Sequence, residues 1–287
     1  MSPRLRGLVA ALTVAAMSLP VSAGTAHAAD PSRYVALGDS FVAGPVIPDQ
    51  GGSPLGCLRS DRNYPSLLAE RVGAGEFVDV SCTGAQTEDM FAPQTTTLGT
   101  NPAQLDAVTA DTTLVTVGIG GNDVGFADIM INCIKKGALN PLGNPCERQY
   151  TGTGVDELRQ RIADTADDIA AVFAAIRERA PGATVLAVGY PAILPESRGC
   201  WPKVTLARGD VAYLDGVEQA LNTTIADLAA DHGVQYVDVF TRGHDVCQDE
   251  DVRWIEGVVP TQPAAPIHPN AKGMAAVAGM VSAHLDS

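Results

Sequence analysis

Basic side chains are in short supply. Nineteen Lys and Arg stand against thirty-three Asp and Glu, a formal net charge of −14. That balance excludes a general electrostatic attraction to DNA, RNA or an anionic membrane. Aromatic residues are only 5% of the chain and charged residues 18%, yet 46% is hydrophobic. So much aliphatic material excludes wholesale disorder. Cys-x-x-Cys pairs are absent, which argues against a zinc knuckle or a thioredoxin-type redox site. Internal repeats and domain-separating linkers are absent as well, so the 287 residues are expected to hold one folded domain.

Long apolar runs are nearly absent too, and the one at the start is short. Arg4 and Arg6 precede the run Leu8 to Leu19, and small residues follow up to Ala26-His27-Ala28-Ala29. Twelve residues at about 1.5 Å each reach roughly 18 Å, short of a ~30 Å hydrocarbon core. The pattern is that of a secretory signal peptide over residues 1–28, cleaved near Ala28. Residues 29–287 then form the exported domain, with no stable membrane insertion. All six cysteines (Cys57, Cys82, Cys133, Cys146, Cys200 and Cys247) lie in that part, and an even number in an exported chain reads as disulfides. Six cysteines allow fifteen pairings, and spacing does not choose among them.

What is present is alternation. Short β-rich runs at 34–37, 77–81, 113–117, 184–188 and 234–240 are separated by helical patterns. One helix is expected from Pro65 to Arg71, one over 155–179 and one from about Leu206 to Ala230. The last follows Asn270, a suitable cap. Strand–helix alternation predicts a parallel sheet with helices on both faces. Stretches 43–63, 131–154 and 241–267 read as long ordered loops. In such a fold ligands sit beyond the carboxyl ends of the strands, so the residues after each strand carry the chemistry.

The first strand delivers Gly38-Asp39-Ser40-Phe41-Val42-Ala43-Gly44, which misses the G-x-S-x-G elbow because position 42 is Val. Ser40 could be a nucleophile whose oxyanion faces helix amides, or Asp39 or Ser40 could simply cap a helix. The second strand leads to Ser81-Cys82-Thr83-Gly84, where a glycine lets a backbone amide approach a ligand. The third ends in Gly118-Ile119-Gly120-Gly121-Asn122-Asp123. A dinucleotide loop fails there at Asp123, and no Gly-Lys-Ser/Thr follows to make a P-loop. Asn122 instead offers an amide donor. Among five histidines, His268 lies between Pro266-Ile267 and Pro269-Asn270 at the start of the last helix. His244, in a polar loop, is the weaker candidate base; His232 and His284 sit on helices, and His27 leaves with the leader.

In this order, GDSFVAG, the Gly84 turn, GGND and His268-Pro269-Asn270 resemble the SGNH hydrolases, the GDSL-type esterases and lipases. The resemblance spans Tyr34 to about Leu285 and is strongest for the secreted bacterial lipase/esterase branch. It implies a three-layer α/β/α flavodoxin-like fold and serine-dependent hydrolysis of carboxylic esters without metal or cofactor. Ser40 would be the nucleophile and His268 the general base. The amides of Ser40 and Gly84 and the side chain of Asn122 would form the oxyanion hole. It also implies disulfides between consecutive cysteines: Cys57–Cys82, Cys133–Cys146 and Cys200–Cys247.

One departure stands out. The family's Asp three residues before the histidine is Ala265 here. A main-chain carbonyl of Ala265 or Pro266 is therefore expected to orient His268, with Glu256 or Asp245 as the alternative. Apolar residues near these loops (Phe41, Val42, Val46, Ile47, Phe126, Ile129, Met130 and Ile131) suggest an acyl groove. The expected substrate is a lipid or other ester, bound by a monomer. Phospholipase A and carbohydrate O-deacetylase are alternative activities. A catalytically inactive secreted binding module is the non-enzyme alternative.

Overall fold

The computed structural model describes residues 31–287; the expected leader, residues 1–28, lies outside the described residues. Five parallel strands form the central sheet: β1 (Arg33–Gly38), β2 (Glu76–Asp79), β3 (Leu114–Gly118), β4 (Thr184–Val188) and β5 (Gln235–Val237). Their spatial order is β2-β1-β3-β4-β5, the flavodoxin-like arrangement. Two short antiparallel pairs lie outside this sheet: Gln50–Gly51 with Arg59–Ser60, and Gln94–Thr96 with Gly99–Asn101.

Strand parity sorts the core into two layers. Tyr34, Ala36, Leu114, Leu186 and Val188 face one side, where they pack with Leu68, Met274 and Val277. These partners come from the helices α2 (Tyr64–Arg71) and α8 (Ala271–Leu285). Val35, Leu37, Val115, Val117, Val185 and Ala187 face the other side with Ile169, Phe173, Leu221 and Ile225. Those belong to α6 (Glu157–Arg179) and α7 (Asp210–Asp231). The helix starts follow local chemistry. Asn63, Asp156 and Asn270 each cap a first turn by accepting backbone N–H bonds.

The structure corrects the sequence reading in three places. Stretch 131–154 is mostly helical. It completes α4 (Phe126–Leu139) and contains α5 (Pro145–Thr151), whose buried Cys133 and Cys146 form a disulfide. Helix α7 starts at Asp210 rather than near Leu206, because Arg208 and Gly209 donate their N–H groups to Pro141 and Gly143 in the neighbouring loop. Strand β5 stops at Val237, where the Asp238 side chain takes the N–H of Phe240 in a turn. Two further disulfides join Cys57 to Cys82 and Cys200 to Cys247. No helix among the described residues is long and apolar enough to cross a membrane.

Candidate active site

Ser40 follows β1 and Asn122 follows β3, the two strands between which the chain order reverses. That is the switch point where an open α/β sheet leaves a crevice. Gly38 is obligatory at the end of β1: its φ is +149°, and an added Cβ would sit 2.5 Å from the Gly118 carbonyl oxygen. The Gln104 side chain clamps the same peptide, accepting from Gly38 N–H at 2.7 Å and donating to its carbonyl at 3.0 Å.

The short helix α1 (Ser40–Ala43) begins at the serine. Its cap is Asp39, which accepts the Phe41 N–H at 2.8 Å. The Ser40 hydroxyl is therefore spared from capping, and its Oγ lies 2.8 Å from His268 Nε2. His268 Nδ1 lies 2.7 Å from the Pro266 carbonyl oxygen. The Ala265 carbonyl is occupied differently, accepting the His268 backbone N–H at 3.2 Å. Ile267 between them adopts φ +59°, a rare conformation for a β-branched residue, and this bend turns the Pro266 carbonyl toward the ring.

Neither acid considered as an orienting group is hydrogen-bonded to the imidazole. Glu256 is buried in an ion pair with Arg253 at 2.7 Å, and also accepts from Asn270 Nδ2 and Thr261 N–H, each at 2.9 Å. Burial opposes its charge, but these donors together hold its pKa down at about 2. Its backbone N–H donates to the His268 carbonyl at 2.9 Å, so Glu256 braces the histidine loop from behind. Asp245 instead accepts from Cys247 N–H and Gln248 Nε2. His244 is stacked on Trp254, with ring centroids 3.9 Å apart, and its Nδ1 is engaged with the Val252 carbonyl. Burial lowers the His268 pKa from its ordinary value, and the Pro266 carbonyl opposes that shift in part. The neutral imidazole, able to accept a proton, is thus the favoured form at neutral pH.

Asn122 lies in the short helix α3 (Gly121–Val124), entered through Gly120 at φ +113°. One of its Nδ2 hydrogens goes to the Ala85 carbonyl at 2.9 Å, which ties the Gly84–Ala85 turn to the serine side of the sheet. Cys57 anchors the same turn, through the bond to Cys82 and by accepting the Thr83 N–H at 3.0 Å. The amides of Ser40 and Gly84 have no acceptor among the described residues. Ser40, Asn122, Pro266 and His268 line one cavity of about 180 Å³, whereas Gly84 is exposed and outside its lining.

The rest of the cavity is almost wholly apolar. Phe41, Phe126, Ile129, Met130 and Ile131 line it, joined by Ile162, Ile193 and Leu221 from deeper elements. Of the residues suggested as a groove, Val42 and Ile47 are core on the opposite side of the sheet and Val46 is exposed. No group of three or more His, Cys, Asp or Glu among the described residues is arranged to hold a metal ion.

Glu218, on α7, is a buried wall residue of this cavity, with both carboxyl oxygens 3.2 Å from the Ile193 N–H. Burial raises its pKa well above the usual range, helped by Asp215. The Ile193 N–H and then Arg242 oppose this only in part, Arg242 being held bidentate by Asp215 at 2.5 and 2.9 Å. A raised pKa in the folded state favours the protonated form. The associated stability is full below the ordinary carboxylate pKa and is lost as pH rises through the raised value. The melting temperature should fall as pH rises from the ordinary carboxylate range toward the raised value, and fall less in Glu218→Gln. Identical slopes for both proteins in thermal melts across that range would show Glu218 to be ionised in the fold.

A doubly wound α/β sheet with a hydrogen-bonded serine–histidine pair at its switch point is the architecture of a serine hydrolase. Comparison with known proteins gives the family. The chain belongs to the GDSL-like lipase/acylhydrolase family, whose model matches residues 36–276. It is 39% identical to Lipase 2 of Streptomyces coelicolor over 94% of each chain. The extracellular lipase of Streptomyces rimosus superposes with a TM-score of 0.72 at 31% identity, covering 89% of this chain and 100% of that one. Phospholipase A1 of Streptomyces albidoflavus NA297 superposes with a TM-score of 0.73 at 28% identity, covering 90% and 100%.

Sequence reasoning singled out Ser40, His268 and Asn122, which the fold brings to one cavity, and Gly84, which lies outside its lining. It missed Gln104, Tyr190, Glu218 and Asn222. Tyr190 lies two residues beyond the end of β4 and was open to the same after-the-strand argument as Ser40, but no motif marks it.

Proposed function

We propose that this ester hydrolase cleaves acyl lipids through an acyl-enzyme on Ser40, with His268 as general base. The observation that carries the reading is the 2.8 Å contact between Ser40 Oγ and His268 Nε2 at the mouth of an apolar cavity. His268 takes the hydroxyl proton as Oγ attacks the ester carbonyl. The Ser40 and Gly84 amides and the free hydrogen of Asn122 Nδ2 receive the oxyanion. Collapse of the intermediate returns the proton from His268 to the departing alcohol. Water, deprotonated by the same nitrogen, then releases the acid. The Pro266 carbonyl fixes the Nδ1–H tautomer, so the site operates as a Ser–His dyad with a main-chain acceptor in place of an acid.

Export through a leader cleaved near Ala28 accompanies this reading. Three disulfides persist in an oxidising compartment, and the similar Streptomyces rimosus lipase is described as extracellular. The apolar lining favours a hydrocarbon chain over a sugar, which sets carbohydrate O-deacetylation aside. The likeness to phospholipase A1 keeps phospholipid acyl esters within range. A bound chain gains about 0.8 kcal/mol for each methylene it buries. Met130→Trp should fill the cavity and lower kcat/KM for long-chain p-nitrophenyl esters by about 10-fold or more, leaving the acetate within about 2-fold. A chain-length series measures this; an equal loss at every length would place the acyl chain elsewhere.

A further inference from the structure

We propose that Tyr190 is a positioning residue whose hydroxyl fixes the spacing between the nucleophile turn and the Asn122 turn. The inference rests on the Ser40–His268 reading and extends it to a residue outside the family motifs. Nucleophile and oxyanion donors come from separate loops, after β1 and after β3, and such groups must be held to within about 0.5 Å of productive geometry. Strand pairing ends at Gly38 and Gly118, so the ladder does not reach Ser40 or Asn122.

Tyr190 spans that gap from β4. Its hydroxyl accepts the Gly121 N–H at 2.9 Å and donates to Asp39 Oδ2 at 2.6 Å. The other carboxyl oxygen of Asp39 caps the helix that starts at Ser40. One hydroxyl therefore joins the residue before the nucleophile to the residue before Asn122. All of these groups are buried, and burial pushes the Asp39 carboxyl pKa up to about 7 against the Tyr190 and Phe41 donors that favour its charged form.

The bridge is itself held by α7, in the layer where the Tyr190 ring packs. Asn222, on α7, accepts the Tyr190 N–H at 2.8 Å and donates to its carbonyl at 2.9 Å. The Tyr190 ring packs edge-on against Phe41 at 5.2 Å, and Phe41 in turn lies 5.0 Å from the His268 ring. Tyr190 thus contacts both turns directly and the histidine through one intervening ring. A phenylalanine would keep the packing and delete only the bridge.

The test is Tyr190→Phe, Asp39→Asn and their double variant, assayed on p-nitrophenyl esters with Ser40 titrated by a fluorophosphonate. Tyr190→Phe is expected to lower kcat about 10- to 100-fold with KM within about 2-fold, as for a reacting group displaced without loss of substrate binding. Because both singles cut one bridge, the double variant should lose no more than the worse single. A folded Tyr190→Phe with wild-type kcat, a loss confined to KM, or losses that multiply would overturn the proposal. Should Tyr190→Phe not fold, Asp39→Asn decides alone: a lower kcat at constant KM supports the bridge, and wild-type kcat refutes it. Wild-type protein that fails to label at Ser40 would instead refute the underlying nucleophile assignment.

Discussion

Ser40→Ala should abolish turnover, lowering p-nitrophenyl ester hydrolysis by about 10³-fold or more while the protein stays folded. Both halves of that expectation come from the geometry. The hydroxyl makes its contact with His268 Nε2 and takes no part in capping α1, a task performed by Asp39. Replacing it with a methyl group leaves the cap, the Gln104 clamp on Gly38 and the core beneath intact. The melting temperature should accordingly stay close to wild type, and mass spectrometry after fluorophosphonate treatment should show an adduct only on the unsubstituted protein. Residual activity above a few per cent in a folded, unlabelled variant would mean that the ester is attacked by another group. His244 is poorly placed to serve one, since its ring is stacked on Trp254 and bonded to a backbone carbonyl.

How much of this was legible in the sequence depends on the range of the interaction. Ser40, Gly84, Asn122 and His268 each sit in a short run whose glycines, prolines or polar residues mark a turn, and alternation places most of those turns at one sheet edge. Caps are local too, and Asn270 could be picked out because its side chain acts two and three residues ahead. Tyr190 carries no local signal. Its partners Gly121, Asp39 and Asn222 are 69, 151 and 32 residues away, and only the folded sheet brings them together. Gln104 on Gly38 is the same kind of case, at 66 residues. Helices α4 and α5 were hidden for another reason: glycine, proline and cysteine made stretch 131–154 look irregular. Burial of Ile129, Met130, Cys133 and Gly137 along one face made it helical.

The missing acid of the triad shows how a local substitution can be absorbed. An aspartate three residues before the histidine would meet the imidazole through its side chain, whereas Ala265 has none to offer. The chain supplies a backbone oxygen from Pro266 instead, made available by the positive φ of Ile267. Glu256, which looked like a substitute acid, braces the loop by holding Asn270 and Thr261 and by donating its own N–H to the His268 carbonyl. Orientation of the ring thus passes from one carboxylate to a segment fixed at several points.

Asn122→Ala should cost about 10² to 10³ in kcat with little change in KM, the loss expected for one oxyanion donor. The side chain is oriented before substrate arrives. One Nδ2 hydrogen is committed to the Ala85 carbonyl, which leaves the other for the cavity that Ser40 and His268 also line. A donor aimed at the oxyanion gains strength as the carbonyl oxygen takes on charge, so its removal should appear in the chemical step rather than in binding. Asn122→Asp makes the sharper comparison. It keeps the size, loses the donor and sets carboxylate oxygens beside both the Ala85 carbonyl and the developing oxyanion. Its kcat should fall at least as far as that of Asn122→Ala. Stopped-flow measurement of the first turnover isolates acylation. Normal acylation with a raised KM in Asn122→Ala would assign the side chain to substrate binding and leave the hole to the two backbone amides.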